Sequence, residues 1–271
     1  MVGPVLAASA GAIALLMLIT WVISLLRTDA SLVDIVWGLG FVVVAATAAV
    51  VGDGFRDRRL IVLSLVAVWG LRLSGYLAWR NLGHGEDYRY RAMRKKWGDR
   101  FWWISFFQVF LLQGALMWIV SLPVQLAATA AQPASFGPLA YLGVAVWTVG
   151  LLFETIGDAQ LARFKADEAN QGRVMDQGLW RYTRHPNYFG DFCVWWGIFL
   201  IAAETGPGRW GVIGPVVMST LLIRVSGVAM LEKTIGKRRP GYAEYIERTS
   251  AFFPRPPRPL PAASADRPPE G

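Results

Sequence analysis

The densest run of side chains able to do chemistry is Gly178-Leu179-Trp180-Arg181-Tyr182-Thr183-Arg184-His185-Pro186-Asn187-Tyr188-Phe189-Gly190-Asp191. It stands where a polar stretch carrying Lys165, Arg173, Arg181 and Arg184 gives way to an apolar one. Pro186 suits the first turn of a helix, where a missing N–H does no harm. Asn187 and Tyr188 are then expected near a helix N-terminus, whose free N–H groups favour an anion. The arginines add positive charge, and guanidinium groups bind phosphate or carboxylate in bidentate fashion. Gly190 lets a backbone or a ligand approach closely. Together these residues predict a site for a phosphate-bearing or carboxylate-bearing molecule. An anchor for anionic lipid would explain the arginines, but not the arrival of His185, Asn187, Tyr188 and Asp191 together.

Other ionisable groups lie in or beside apolar runs, where charge is costly and marks function by default. Asp34 sits in Val33-Asp34-Ile35-Val36-Trp37-Gly38, Arg72 and Tyr76 lie further along, and Glu154 and Asp158 are one helical turn apart on a shared face. An Asp34–Arg72 pair is one way to hold two of these charges. Arg224 and Glu232 close the last apolar run, and Tyr242, Tyr245 and Arg248 share a helix face at successive intervals of three. Glu86-Asp87-Tyr88-Arg89-Tyr90 reads as a loop of solvated ion pairs, a type that contributes little. His84 and His185 have no partner at metal-binding spacing, so no metal site is expected. No P-loop is present, and a soluble-type Rossmann site is not expected.

The elements that must position these groups are membrane helices. Of 271 residues, 54% are hydrophobic, and several runs approach the roughly 20 apolar residues needed to cross a bilayer. Seven spans are predicted: Pro4–Leu26, Ser31–Val51, Leu60–Trp79, Phe101–Leu126, Leu139–Thr155, Tyr188–Ala203 and Trp210–Leu231. The first is too long for a signal-peptide core and has no positive residue before it, so it is read as a span. The formal net charge of +8 sits mainly in the connections. Lys and Arg crowd Arg80–Arg100, Gly157–Asn187 and the segment after Leu231, while Arg56, Arg58 and Arg59 lie on the other side. That balance puts the N-terminus outside and the C-terminus in the cytoplasm. Anionic lipid or an anionic ligand, and no nucleic acid, is the expected partner of the charge. Cys193 is alone, so no intrachain disulfide forms, and it reads as a small buried apolar residue. Residues 1–253 form one membrane-embedded domain whose motif-bearing half is 139–253. The Pro-rich tail 254–271 is expected to be disordered.

With these stretches in view, the chain resembles the steroid 5-alpha-reductase-like superfamily of membrane enzymes, and most closely its bacterial DUF1295 branch. The resemblance is carried by Asp34 to Gly38, Leu71-Arg72-Leu73, Glu86 to Tyr90, Phe153-Glu154-Thr155 with Asp158-Ala159-Gln160, Gly178 to Asp191 with Trp195-Trp196-Gly197, and Gly241 to Tyr245. It implies an all-α protein of about seven transmembrane helices, in a bacterial inner membrane, with NADPH in a polar cavity open to the cytoplasm. By motif position it implies that Asp158, Lys165, Arg173, Asn187 and Asp191 contact the cofactor. Tyr182, Arg184, His185, Tyr188, Trp195, Tyr242 and Tyr245 would line the same pocket, and Arg72 would match a cofactor-binding arginine of the third helix. The steroid reductases carry a Gln-Glu pair in the second helix that, with a tyrosine of the third, binds the substrate ketone. Here the second span offers Asp34 instead, and the third offers Tyr76.

The expected activity is NADPH-dependent reduction of a carbon–carbon double bond conjugated to a ketone in a lipophilic substrate, a steroid or another enone. Hydride would pass to the carbon beta to the carbonyl, and a preorganised donor would stabilise the developing enolate. Asp34, protonated through burial, is the candidate donor, with Tyr76 as a second catalytic candidate. The rival is an S-adenosylmethionine-dependent methyltransferase of the isoprenylcysteine or phospholipid type, which shares an Arg-His-Pro-x-Tyr-x-Gly pattern. That class carries Glu-Glu after its last span, where this chain has Glu232-Lys233. Substrate identity and oligomeric state are not set by the sequence.

Overall fold

The structure is a computed structural model, and it describes residues 1–225 and 241–259. Every regular element among the described residues is helical: α1 (Val2–Arg27), α2 (Leu32–Val51), α3 (Arg56–Asn81), α4 (Tyr88–Val120), α5 (Leu122–Ala127), α6 (Pro138–Ala166), α7 (Pro186–Ala203), α8 (Ile213–Thr220) and α9 (Tyr242–Arg248). Of these, α1, α2, α3, α4 and α6 are long and apolar enough to cross a membrane. On α1, Leu15, Leu18, Val22 and Leu26 stand exposed at helical spacing beside Ile19. An apolar face of that extent belongs in lipid, and the chain is an integral membrane protein. Part of the predicted seventh span, the pair Glu232-Lys233 and the basic run Lys237–Arg239 lie outside the described residues. So does 260–271 of the predicted disordered tail.

Packing divides the described residues into two compact units, one of residues 1–145 with 196–217, the other of 146–195 with 218–225 and 241–259. In the first unit α2 packs along both α3 and α1. Helices in lipid associate through small residues that let backbones approach, and Gly38 and Gly70 do this here. A Cβ on Gly38 would stand 2.3 Å from the Gly70 carbonyl oxygen, and one on Gly70 2.6 Å from that of Gly38. Ser74 locks the crossing by accepting the Leu39 N–H at 3.0 Å. Hydroxyls inside α1 turn back on their own helix, Thr20 to the Leu16 carbonyl and Ser24 to that of Trp21, both at 2.7 Å. These two hydroxyls are thereby satisfied within the helix itself. Arg58, near the start of α3, is fully buried and gives its guanidinium to the carbonyls of Ala130 and Pro133.

The predicted fourth span begins one basic stretch later than the helix does. Asp87 caps α4 by accepting the Arg89 N–H at 2.9 Å, so the helix starts at Tyr88 and carries Arg89 to Arg100 on its first turns. A π-helical segment over Phe106–Leu111 interrupts it. The helix ends at Ser121, where Pro123 starts α5 from within its first turn.

In the second unit α6 and α7 meet through Gly150 and Gly190. A Cβ on Gly190 would lie 2.6 Å from both the Gly150 carbonyl oxygen and the Glu154 nitrogen. The close approach expected at Gly190 is thus that of a helix backbone. Phe153, Phe189, Phe192, Phe252 and Phe253 interlock edge-to-face beside it, with centroids 5.0–6.3 Å apart. The first residues of the predicted tail are tied down, Arg255 N–H to the Tyr182 carbonyl and Arg258 N–H to that of Arg248, each at 2.9 Å.

Candidate functional site

In the second unit, α7 begins at Pro186 as the motif predicts. The three residues before it are locked from behind. Thr183 is fully buried and donates to the Phe252 carbonyl at 2.8 Å, and its oxygen accepts the His185 N–H at 3.3 Å. Arg184, only 7% exposed, donates its backbone N–H to the Ser250 carbonyl and closes its guanidinium on the carbonyls of Ile246 and Thr249. Those carbonyls end α9, and a cation there also complements the helix dipole. Arg184 therefore fastens α9 to the head of α7.

The first turn of α7 presents the polar set. Asn187 reaches Asp158 of α6, its amide nitrogen 3.4 Å from the carboxylate oxygen, and its own oxygen accepts the Tyr188 N–H at 3.1 Å. Asp158 and Glu154 are both buried, at 4% and 3% exposure. The His185 ring stacks on Tyr188, centroids 5.4 Å apart and planes within 9°. Asp191 is half-buried and Trp195 fully buried further down the helix. Tyr242 and Tyr245 are buried on α9, 5.8 Å apart, and the Tyr245 hydroxyl donates to the Trp180 carbonyl. Lys165, Arg173 and Tyr182 are exposed.

A cavity of about 360 Å3 opens here, lined by Gly172, Arg173, Val174, Asp176, Gly241, Glu244, Tyr245 and Arg248. It brings Arg173 and Tyr245 to one opening and adds Arg248, which the sequence offered only as a neighbour of Tyr245. Gly172 and Gly241 both have φ +80° and open space where a Cβ would be. The backbone at the rim is therefore accessible to a ligand.

The first unit holds a second polar constellation. Asp34 is paired with Arg89, Nη2 to Oδ2 at 2.6 Å, where the sequence had suggested Arg72. Its other oxygen accepts from the Tyr90 hydroxyl at 2.8 Å, and that hydroxyl accepts from Gln113 at 3.2 Å. Arg89 also bonds Asp87 through Nε at 2.9 Å. Arg94 grips Glu86 with two bonds of 2.8 and 3.0 Å, and Glu86 accepts the Ala30 N–H at 2.8 Å. The segment Glu86–Tyr90, read as a solvated loop, is the lid of this network, and α4 carries most of it. The sequence cue was there: Asp34 stands at the first turn of α2, and Arg89 and Tyr90 on the first turn of a helix whose true start was hidden. Arg72 and Arg80 both stand over the ring of Tyr76, at 5.4 and 5.6 Å.

The family described as protein of unknown function (DUF1295) matches residues 20–249, and the chain belongs to it. An uncharacterized protein of Schizosaccharomyces pombe is similar at 24% identity over 272 aligned residues, covering 88% of this chain and 76% of that one. No solved structure matches.

Proposed function

We propose that this DUF1295-family protein is an NADPH-dependent membrane reductase acting on a carbon–carbon double bond conjugated to a ketone in a lipophilic substrate, a steroid or another enone. In this reading it crosses a bacterial inner membrane seven times, N-terminus outside and C-terminus cytoplasmic, with a cofactor cavity facing the cytoplasm. The observation that carries the reading is the opening lined by Arg173, Tyr245 and Arg248. Its donor set suits the phosphate-bearing end of a dinucleotide. Two guanidinium groups take phosphate charge, Asp176 and Glu244 can accept from sugar hydroxyls, and Tyr245 offers an aromatic surface.

NADPH, when bound, supplies the hydride. The residues then have separable tasks. Arg173 and Arg248 neutralise phosphate. Asp158 fixes the Asn187 amide, and the His185–Tyr188 stack offers a flat aromatic face. For the proton, the first unit offers the Tyr90 hydroxyl, the proton-bearing atom of its network. Asp34 accepts there through both oxygens. Its proposed part is therefore to hold and orient Tyr90 rather than to donate as a neutral acid. Tyr76, flanked by two guanidiniums, is the second hydroxyl proposed for the substrate oxygen. The substrate would enter from the lipid. The test is direct binding of NADPH to the purified protein, followed by NADPH consumption across a panel of steroids and other enones. Binding that survives both Arg173→Ala and Asn187→Ala would overturn the site.

A further inference from the structure

A second basic cavity lies in the same unit, with a volume of about 270 Å3. Its charged lining is Arg184, Arg248, Arg255, Arg258 and Glu247. Arg248 is paired with Glu244 at 3.6 Å, which leaves Arg184, Arg255 and Arg258 against Glu247, so the lining is net positive. Arg184 is already committed to carbonyls, so it contributes charge at the floor, while Arg255 and Arg258 are exposed and able to close on a guest. Their backbones are fixed by the N–H bonds to Tyr182 and Arg248, so the two side chains are presented from an anchored strap. Both arginines lie beyond the residues that the family match covers.

The surroundings indicate which anion. Tyr182, Ile246 and Phe253 are 44%, 40% and 48% exposed, and they flank or line this same strap and cavity. Large apolar side chains standing out beside an arginine cluster are costly in water and suited to the boundary between headgroups and acyl chains. Bidentate arginines match the planar oxygen edges of a phosphate.

We infer that this cavity binds the phosphate of an anionic membrane lipid, with Arg255 and Arg258 as the gripping pair and Ile246 and Phe253 against the acyl chains. The cavity shares Arg248 with the proposed cofactor opening, but its gripping pair Arg255 and Arg258 does not line that opening, so the two readings are tested by different variants. Free phosphate shares the headgroup chemistry but lacks the apolar contact, so the lipid binds more tightly.

The full-length protein in a nonionic detergent is titrated with short-chain phosphatidylglycerol, short-chain phosphatidylcholine and inorganic phosphate, read by thermophoresis. Each interfacial arginine contributes roughly fivefold to binding of anionic lipid, so R255Q/R258Q is expected to weaken phosphatidylglycerol binding about 25-fold. Glu247→Gln, which removes the carboxylate in the lining, should tighten it several-fold. Arg209→Gln, an exposed arginine elsewhere, should leave it unchanged and so excludes a general charge effect. Equal affinity for phosphatidylglycerol and inorganic phosphate would overturn the lipid assignment. So would equal affinity for phosphatidylcholine, wild-type affinity in R255Q/R258Q, or displacement of the lipid by NADPH, which would give the cavity to the dinucleotide.

Discussion

The Asp34–Arg89 pair should be coupled energetically, and the coupling can be sized from its geometry. The bond is short, 2.6 Å, and the two side chains keep 21% and 38% of their exposure. A hydrogen bond to a charged group contributes about 1.5–3 kcal/mol when water is excluded, whereas fully exposed ion pairs give about 0–1 kcal/mol. Partial exposure puts this pair between the two. Asp34→Asn keeps the shape, and the Tyr90 hydroxyl can rotate to accept from the new amide. The loss is then mainly the charge on one bond, roughly 1–2 kcal/mol. Arg89→Gln should cost at least as much, because it leaves the Asp34 carboxylate, only 21% exposed, without its cation. In a double-mutant cycle the two changes should be sub-additive by about 1 kcal/mol. The assay is reversible unfolding in mixed micelles followed by tryptophan fluorescence. Additive effects within about 0.3 kcal/mol would mean that the pair is solvated and would refute the network.

Four further outcomes follow from the same geometry. Gly190→Ala should destabilise the second unit by roughly 1–3 kcal/mol, read by the same unfolding assay, because its methyl would meet the Gly150 oxygen at 2.6 Å. Arg184→Ala should free the end of α9 and expose 242–248 to protease, while Arg184→Lys, with a single point charge in place of a fork, restores protection only in part. If the reductase reading holds, Tyr90→Phe should lower kcat about 100-fold or more at little change in NADPH affinity, as expected for loss of a proton donor. Arg248→Ala should weaken NADPH about tenfold or more, since it removes one of the two guanidiniums at the opening.

Much of the fold could be read in the sequence because lipid imposes a simple rule: an apolar run of sufficient length must be a helix that satisfies its own backbone. The placement of Pro186 at the head of α7 was legible for the same local reason, since proline is tolerated only in the first turn. The start of α4 was not legible. Its first turns are rich in arginine and read as a connection, and only the Asp87 cap and the grip of Arg94 on Glu86 make them helical. That hid the partner of Asp34, since the pairing joins residues 55 positions apart through side chains alone. The glycine contacts at Gly38–Gly70 and Gly150–Gly190 were likewise invisible, because spacing along one helix does not specify which neighbour comes close. The strap at Arg255 and Arg258 was masked by its composition. Proline-rich sequence reads as disorder, yet two backbone N–H bonds hold it in place.

The central proposal is that the opening lined by Arg173, Tyr245 and Arg248 is a dinucleotide site. Its most direct test is the affinity of the purified protein for NADPH against S-adenosylmethionine, measured side by side on wild type, Arg173→Ala and Asn187→Ala. The account predicts saturable NADPH binding that both substitutions weaken, with no comparable binding of S-adenosylmethionine. Tight binding of S-adenosylmethionine alone would contradict it.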